Sequence, residues 1–524
     1  MTGRRFDRHV AVLAQTGHRR HQLPNDHAIS VLGSTPSPVV RILQIGPRGT
    51  NIVAMPLKPD LALVVPEDLG RVHFIGIGGS GMSGIAHMML DAGLQVSGSD
   101  REESPYLPPL REQGATVYVG HDAANLGDAD TVVFTSAIWP ENPEYVLAQE
   151  RGLTLLHRSQ ALHWLSRHRR VLTVAGAHGK TTTTGMIVTI LKELGVDPSF
   201  VNGGVIQSLK SSWGAGTAPL FVLEADESDG SFLLYDTSVA VITNVETVHL
   251  DHFGSDQGYE DAFTAFANGA HEFVVAGEGE QLDRVLAGVT TRVLRFGECE
   301  GVDMRVSDIV ATDHVTFDLT WQGETRRARI SVPGRHHALN AAAAVLTLVT
   351  MGYASDLVIA ALDRFGGTKR RFEFKGNVRG VSVYDDYAHE PAEAAAAVAG
   401  AQTVVGQGRV IAVHQPHLYS RTKNVSDQFA RAYEQNADFT IVLAVDGARE
   451  DPIPGVSGQL VVDHFVDKNK VALIEDWQEA ADYMASIARD GDIVMTLSCG
   501  TVYKIVPQLL EALDRIPERV TTGS

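Results

Sequence analysis

The chain has 524 residues, of which 44% are hydrophobic and 20% charged, and its formal net charge at pH 7 is −19. This length predicts several globular domains with buried cores, and the acidic balance argues against binding to nucleic acid or to anionic membranes. The two cysteines, Cys299 and Cys499, are too few for a disulfide framework, and no apolar run reaches the roughly 18 residues of a membrane span, so we expect a cytoplasmic protein.

Residues 1–54 differ in character from the rest of the chain. Seven arginines stand against two aspartates in this segment, and no helical or strand period persists. We interpret it as a disordered or non-native N-terminal extension, with Met55 as the true start. A basic arm with a binding role is the alternative.

From Arg71 onward, short β-branched runs alternate with amphipathic stretches rich in alanine and leucine. This alternation predicts an α/β fold in which parallel sheets are covered by helices. Two boundaries divide it, one in the basic stretch 158–170 and one at 366–368, after a long alanine-rich helix. The clearest predicted strands are 72–75, 131–134, 171–174, 221–223, 239–242, 410–413 and 492–495.

A glycine-rich turn follows the first of these strands. It reads Gly-Ile-Gly-Gly-Ser-Gly over residues 76–81, and a helix is predicted over 82–92. In this context the glycines let the backbone approach a diphosphate at a helix N-terminus. Asp100, in a Ser-Gly-Ser-Asp segment after the next predicted strand, stands where a ribose-binding acid is expected. Taken alone, the motif indicates an NAD-dependent dehydrogenase, and a tight turn without ligand is the alternative.

A phosphate-loop motif directly follows the strand 171–174. Residues 176–184 read Gly-Ala-His-Gly-Lys-Thr-Thr-Thr-Thr. Backbone N–H groups of such a loop cradle phosphates, Lys180 would reach the β- and γ-phosphates, and the Thr181 hydroxyl is placed for Mg²⁺. The loop is shorter than the general phosphate-loop pattern, because Val174 occupies the position of its first glycine. A chance Gly-Lys-Thr is disfavoured by the strand before it and the helical run after it.

Acidic residues and a histidine follow two further strands. Residues 224–229 come after the strand 221–223, and residues 244–252 come after the strand 239–242. The carboxyl ends of parallel strands meet at one edge of a sheet, where a nucleotide enzyme holds Mg²⁺. Each group alone is typical of a solvated loop, but their convergence favours a functional site.

These motifs, in this order and spacing, resemble the Mur ligase family. The resemblance runs from about Arg71 to the C-terminal region and includes the later segments 334–340, 370–372 and 384–389. It implies three domains: a Rossmann-like UDP-binding domain over 70–158, a central ATP-binding domain over 159–368, and a Rossmann-like C-terminal domain over 369–524. It also implies that the diphosphate at the glycine-rich turn belongs to UDP and not to NAD.

The activity that the resemblance implies is a ligation step in peptidoglycan precursor synthesis. The γ-phosphoryl group of ATP passes to the lactyl carboxylate of UDP-N-acetylmuramate, and the amine of L-alanine then attacks the acyl phosphate. Two Mg²⁺ ions are expected, one on Thr181 and Glu224 and the other on Glu224 and His249. The chain is expected to be a monomer or a weak homodimer.

The resemblance also assigns binding residues by their positions in the motifs. The UDP-sugar would be bound by Gly76, Gly78, Gly79, Ser80, Gly81, Ser99, Asp100 and Ser136. ATP would be bound by Gly176, Ala177, His178, Gly179, Lys180, Thr181, Thr182, Asn340, Arg371 and Asp386. The catalytic residues would be Lys180, Glu224, His249 and Arg371. Alanine would be bound by Tyr387, His389, His417 and Arg421, since an arginine is the expected partner of an amino-acid carboxylate.

Four positions depart from the family pattern. They are His337, Val248, Glu390 and Leu418, where members typically have asparagine, aspartate, histidine and arginine. These departures leave the accepted amino acid open, and a ligase that adds a preformed peptide to the same sugar nucleotide in cell-wall recycling is the nearest alternative. An NAD-dependent dehydrogenase and a nucleotide-binding protein without activity are the alternatives from other classes.

Overall fold

The structure of the chain is a computed structural model that describes residues 57, 59–246, 253–448 and 450–515. These residues belong to one unit of the chain, Pro56–Ser524. The predicted extension 1–54 and the predicted metal ligand His249 lie outside the described residues. None of the described helices is long and apolar enough to cross a membrane.

The first sheet has five parallel strands in the order β3-β2-β1-β4-β5. The strands are β1 (Val72–Ile75), β2 (Val96–Asp100), β3 (Thr116–Val119), β4 (Thr131–Phe134) and β5 (Thr154–His157). The helices beside them are α1 (Ser80–Asp91), α2 (Leu107–Glu112), α3 (Pro143–Arg151) and α4 (Arg158–Ser166). The strand order reverses between β1 and β4, which places a ligand crevice outside the carboxyl ends of these two strands.

The second sheet has ten strands in the order β15-β14-β13-β12-β11-β10-β6-β9-β7-β8. They are β6 (Arg170–Ala175), β7 (Ser199–Ile206), β8 (Ser211–Gly214), β9 (Leu220–Glu224), β10 (Thr237–Ile242), β11 (Phe273–Ala276), β12 (Val293–Gly297), β13 (Met304–Ala311), β14 (Val315–Trp321) and β15 (Glu324–Ile330). The helices are α5 (Lys180–Glu193), α6 (Asp256–Asn268), α7 (Glu280–Ala287), α8 (His337–Thr350) and α9 (Ser355–Leu362). The strands β13 to β15 pair antiparallel and extend one side of a parallel centre.

The third sheet has six strands in the order β16-β17-β21-β18-β19-β20, of which only the edge strand β16 is antiparallel. They are β16 (Glu373–Val378), β17 (Val381–Asp386), β18 (Val410–His414), β19 (Phe439–Val442), β20 (Val471–Leu473) and β21 (Ile493–Leu497). The helices are α10 (Pro391–Val404), α11 (Tyr419–Asn436), α12 (Gln459–His464), α13 (Trp477–Ile487) and α14 (Val506–Arg515). Short 3-10 turns occupy Ala123–Leu126, Ser231–Leu234, Lys468–Lys470 and Val502–Ile505.

The central strands are buried on both faces, as expected for parallel sheets covered by helices. In β6, for example, Leu172 and Val174 are fully buried in a cluster with α5 and α8, and Val171 is buried in a second cluster that includes α6. Each such side chain contributes roughly 1.5–3 kcal/mol by leaving water. The predicted three-domain α/β fold is confirmed, whereas the domain boundaries at 158 and 368 stay predictions.

One local prediction was wrong. Residues 97–100 were expected to follow a strand, but they are the last four of the five residues of β2, which pairs with β1 on one side and β3 on the other. Small polar residues in the order Ser-Gly-Ser-Asp suggest a turn, and pairing with both neighbouring strands overrides this local preference.

Candidate active site

The phosphate loop connects β6, in the interior of the second sheet, to α5. The chain passes through Gly176 with φ of 134° and enters the helix at Gly179 with φ of 83°. Both values lie where only glycine is unstrained. A glycine-rich loop followed by a helix N-terminus directs backbone N–H groups toward a bound anion. The predicted loop is therefore placed to bind phosphate.

Residues after β10 hold this loop in its shape. The backbone N of His178 donates to Asn244 Oδ1 (2.9 Å), and Asn244 Nδ2 donates to the carbonyl of His178 (2.9 Å). The Thr243 hydroxyl donates to the same carbonyl (2.5 Å), and His178 Nε2 lies 3.3 Å from Glu246 Oε2. Because the protein itself fixes the loop, a phosphate-bearing ligand would bind there with little ordering cost.

Gly179→Ala is expected to raise the KM for ATP by about tenfold or more. A methyl group here would collide with Asn340 Oδ1 on α8, and the left-handed backbone alone would cost about 1–2 kcal/mol. Gly195→Ala is the matched control, because Gly195 has φ of 77° and nothing within 4 Å of the added carbon. Steady-state kinetics with varied ATP measures the effect, and equal KM values for both variants would contradict it.

The Lys180 ammonium group lies among oxygen atoms. Its Nζ donates to the carbonyl of Gly176 (2.6 Å) and to Glu227 Oε1 (2.8 Å). Glu227 is 2% exposed, and within the described residues its Oε2 has no hydrogen-bond partner. Burial lowers the pKa of Lys180, but the Glu227 carboxylate outweighs burial, so the pKa is raised and the lysine stays charged. Sequence analysis placed Glu227 in an acidic run without recognising it as the partner of this lysine.

Thr181 and Glu224 form a pair of oxygen ligands next to the lysine. Thr181 Oγ1 donates to Glu224 Oε1 (2.9 Å), and the backbone N of Gly203 donates to Glu224 Oε2 (2.5 Å). A hydroxyl and a carboxylate fit Mg²⁺, which commonly takes one or two carboxylates together with phosphate oxygens and water. Among the described residues, no three His, Cys, Asp or Glu side chains cluster as a complete metal site.

The glycine-rich turn of the first sheet leaves the N-terminus of α1 accessible. Residues 79–81 are exposed, and Gly76 has φ of 85°. The Asp100 carboxylate accepts a hydrogen bond from the backbone N of Gly78 (2.7 Å), so it stabilises the turn. The assignment of Asp100 to the uridine end of a ligand stays a prediction.

Ser99 and Ser136 both contact protein side chains. The Ser99 hydroxyl is buried and donates to Glu144 Oε2 (2.5 Å), while Ser136 Oγ lies 3.0 Å from His157 Nε2. Ser99 therefore stabilises the end of β2 through its buried hydrogen bond to Glu144. Binding of the sugar nucleotide by either serine stays a prediction.

Glu144, at the start of α3, is the centre of a buried polar network that sequence analysis missed. Its carboxylate accepts hydrogen bonds from the backbone N of Asp122 (3.1 Å) and from Asn125 Nδ2 (2.8 Å), and it lies 3.3 Å from His73 Nε2. Burial raises the pKa of Glu144, but the hydrogen bonds outweigh it, so the pKa lies well below its usual range. The network joins β1, β2 and α3 behind the glycine-rich turn.

An ion pair connects the first sheet's helix α4 to the acidic run after β9. Arg158 Nη2 donates to Asp226 Oδ2 at 2.8 Å. Burial raises the pKa of Asp226, but the guanidinium outweighs it and lowers the pKa to about 2. The predicted boundary residue Arg158 therefore contacts the same acidic run that contains Glu224 and Glu227.

The linker between the second and third sheets, residues 367–370, forms hydrogen bonds with both sheets. On the second-sheet side, Gln207 N donates to the carbonyl of Gly367 (3.0 Å), and Lys369 N donates to the carbonyl of Val205 (2.8 Å). The next residue, Arg370, has φ of 59° and belongs by its contacts to the third sheet. Its side chain donates to Asp385 Oδ2 and to the carbonyl of Gly500 (both 3.0 Å), and it stacks on Tyr387 and Tyr503.

Arg371 and Asp386 lie where this linker meets the third sheet. Arg371 Nη1 is 3.9 Å from Glu393 Oε1. Burial lowers the pKa of Arg371, but Glu393, Asp386 and Glu224 outweigh it and raise the pKa. Asp386 accepts hydrogen bonds from two backbone N–H groups (2.7 and 2.8 Å), and burial raises its pKa to about 6. The structure thus brings Arg371, on the third-sheet side, near the predicted metal ligand Glu224.

Tyr387, His389 and Arg421, which are predicted to bind alanine, contact one another. The rings of Tyr387 and His389 meet edge to face (5.4 Å between centroids), and Arg421 Nη1 donates to the carbonyl of His389 (3.4 Å). His417 lies one residue before the Leu418 cap of α11 and pairs through its backbone with Asp446. The departing residue Glu390 joins this group, because its Oε1 lies 2.9 Å from Arg421 Nη2.

Models of three domains match the chain in succession. The Mur ligase family catalytic domain matches residues 71–170, the Mur ligase middle domain matches 174–348, and the Mur ligase glutamate ligase domain matches 370–500. A UDP-N-acetylmuramate–L-alanine ligase of Clavibacter michiganensis subsp. michiganensis is 60% identical over 460 residues, which cover 88% of this chain and 97% of that protein. The chain belongs to the Mur ligase family.

Further Mur ligases agree with this result. The UDP-N-acetylmuramate–L-alanine ligase of Paenarthrobacter aurescens is 46% identical over 454 residues, covering 85% of this chain and 98% of that protein. The crystal structure of the UDP-N-acetylmuramate–alanine ligase of Thermotoga maritima gives a TM-score of 0.72 at 27% identity and covers 84% of this chain and 98% of that one. A murein peptide ligase of Psychrobacter arcticus gives 0.66 at 25% identity, covering 86% and 99%.

Membership of the Mur ligase family favours a ligase over the dehydrogenase that the glycine-rich turn alone suggested. A dehydrogenase has no use for the phosphate loop or for the acidic run beside it. The family resemblance stated from the motifs is confirmed, and the individual site residues stay predictions.

Proposed function

We propose that this chain uses ATP to join L-alanine to the lactyl carboxylate of UDP-N-acetylmuramate in peptidoglycan precursor synthesis. The observation that carries the proposal is the braced phosphate loop, with Lys180 and the Thr181–Glu224 pair at one sheet edge. It occurs in a chain 60% identical to a relative of that activity.

The reaction has two steps. In the first, a lactyl carboxylate oxygen bonds to the γ-phosphorus of ATP, and the bond from that phosphorus to the β,γ-bridging oxygen breaks to release ADP. In the second, the amine of alanine attacks the acyl carbon, phosphate leaves, and the amine proton passes to solvent. Both steps bring anions together, so fixed positive charge must be close by. Lys180, held charged beside the loop, and Arg371, on the third-sheet side, supply it.

We propose that ATP lies along the phosphate loop, with N–H groups of residues 176–182 around its phosphates. Asn340, whose side chain faces Gly179, is placed to approach the nucleotide base. Arg371 and Asp386 would contact the phosphates and the ribose from the third-sheet side. Asp386 can contact the ribose and keep its hydrogen bonds from the two backbone N–H groups, since a carboxylate has further lone pairs.

Mg²⁺ is the proposed cofactor. Thr181 and Glu224 would hold one ion, and Glu224 with His249 is the proposed ligand pair of a second, His249 lying outside the described residues. When bound, Mg²⁺ would neutralise charge on the phosphate and carboxylate oxygens. The adjacent hydroxyl and carboxylate support this proposal, because both are oxygen donors 2.9 Å apart.

The sugar nucleotide would bind at the first sheet. Its diphosphate would meet the exposed N-terminus of α1 at residues 78–81, with Ser99, Asp100 and Ser136 around the turn. The amino acid would bind beside Tyr387, His389, His417 and Arg421. A cytoplasmic location and a monomeric or weakly dimeric state remain parts of the proposal, and size-exclusion chromatography with light scattering checks the second.

Phosphate release by the purified chain tests the function. With Mg²⁺-ATP present, we expect release only when UDP-N-acetylmuramate and L-alanine are both added. Release that needs a tripeptide, and that no single amino acid supports, would replace this proposal with the recycling ligase. Because one methyl or hydroxyl changes binding by only about 1–3 kcal/mol, glycine and serine are expected to react weakly.

A further inference from the structure

The departing residue Glu390 forms an ion pair with the arginine that is proposed to bind the acceptor. Glu390 Oε1 lies 2.9 Å from Arg421 Nη2, and the two side chains are 26% and 23% exposed. Glu390 stands at the N-terminal cap of α10, and Arg421 lies in the first turn of α11. A negative and a positive group therefore stand side by side, both reachable from solvent.

We infer that Glu390 binds the ammonium group of the acceptor amino acid while Arg421 binds its carboxylate. This inference rests on the proposed function. An α-amino acid carries one positive and one negative group on the same carbon atom, which is the complement of this pair. Partly exposed ion pairs contribute little to stability, so their separation costs little, and each partner then gains a charge-assisted hydrogen bond to the ligand.

The surroundings of Glu390 keep it in place when Arg421 turns to a carboxylate. A carboxylate at a helix N-terminus is stabilised by the helix dipole, and the backbone N of Glu390 donates to Glu393 Oε2 (3.3 Å). Arg421 has a second anchor in the carbonyl of His389 (3.4 Å). The two charges are therefore held independently, as a site for a zwitterion requires.

The Glu390–Arg421 pair also lies close to residues that are proposed to take part in the reaction. Glu393, next to Glu390 in the first turn of α10, lies 3.1 Å from His389 Nδ1 and 3.9 Å from Arg371 Nη1. Arg371 in turn interacts electrostatically with Glu224. Contacts thus lead from the Glu390–Arg421 pair through Glu393 to Arg371, which is proposed to bind the phosphates of ATP.

Glu390→Gln, in the full chain, tests this with two half-ligands. Propionate has the carboxylate and no amine, and L-alaninamide has the amine and no carboxylate. We expect the KM for L-alanine and the inhibition constant of L-alaninamide each to rise about tenfold or more, equivalent to about 1.4 kcal/mol. The inhibition constant of propionate and the KM values for ATP and the sugar nucleotide should stay unchanged. Glu390→Asp, which keeps the charge, should recover part of the loss, and Glu511→Gln on α14 is the exposed control.

Other outcomes separate the possible failures. A lower KM for L-alanine together with tighter propionate binding would show that Glu390 competes with the substrate for Arg421, and would overturn the inference. A parallel change in all constants, with a lower melting temperature, would show a structural cap only and would also overturn it. If the unaltered chain releases no phosphate with L-alanine, the proposed function fails first, independently of Glu390.

Discussion

Lys180→Ala is expected to lower kcat by about 10²–10³-fold or more, the loss typical of removing one group that stabilises transition-state charge. Lys180 is held among the loop carbonyls and Glu227, close to where the transferring phosphoryl group would lie. Its removal also leaves the buried Glu227 carboxylate without its cation. Phosphate release at saturating ATP, UDP-N-acetylmuramate and L-alanine is the measurement.

Lys192→Ala is the matched control for this loss. Lys192 lies on the same helix α5 and also pairs with a carboxylate, that of Asp197, but it lies in the last turn of the helix. We expect it to keep nearly full activity, because surface ion pairs contribute about 0–1 kcal/mol. If Lys180→Ala retained more than about a tenth of the activity, the assigned role of the lysine would be wrong.

Glu144→Ala is expected to destabilise the first domain by about 3–5 kcal/mol. The substitution leaves His73, Ser99 and Asn125 without their shared acceptor, and unpaired buried polar groups carry costs of this order. Thermal unfolding should shift downward by about 10 °C or more. Glu150→Ala, on the exposed face of the same helix, is the control and should change little. Equal melting temperatures for the two variants would contradict the role of the network.

The same carboxylate predicts a pH dependence with a definite sign. The pKa of Glu144 is lower in the folded chain than in the unfolded one, so its contribution to stability is complete above about pH 4.3, the unfolded value, and is lost as pH falls toward the folded pKa. The stability difference between the unaltered chain and Glu144→Gln should therefore shrink below about pH 4. A difference that stays constant down to about pH 2 would exclude this contribution.

The central strands could be predicted because they are buried on both faces. β1, β4, β6, β9, β10, β18 and β21 are short apolar runs, and β1, β6, β9 and β10 are each followed by a motif that predicts chemistry. In these strands the local apolar pattern agrees with the buried position in the sheet. The antiparallel strands β13 to β15 were not predicted, since alternating exposed positions carry charges such as Arg327 and Arg329, which a pattern search does not separate from a loop.

Contacts between residues that are distant in the chain were also not predicted from the sequence. Lys180 with Glu227, Arg158 with Asp226, and the five-residue network of Glu144 join segments that no local spacing relates. The sequence does show which residues stand at the ends of strands. It does not show which carboxylate turns toward which cation, because this depends on side-chain packing in the assembled sheets.

The linker between the second and third sheets limits how the C-terminal domain can turn. Gly367 and Lys369 form hydrogen bonds with Gln207 and Val205 at the end of β7. The next residue, Arg370, forms hydrogen bonds with Asp385 and Gly500 on the third-sheet side. Rotation between the two sheets would therefore turn on the backbone torsions at the Lys369–Arg370 junction, and it would break the hydrogen bond from Gln207 Nε2 to Glu373 Oε1 (3.0 Å). Arg371, one residue beyond that junction, would be displaced little by such a rotation. Because the Glu390–Arg421 pair lies on α10 and α11 of the third sheet, the same rotation would move the proposed acceptor site relative to the phosphate loop at the start of α5.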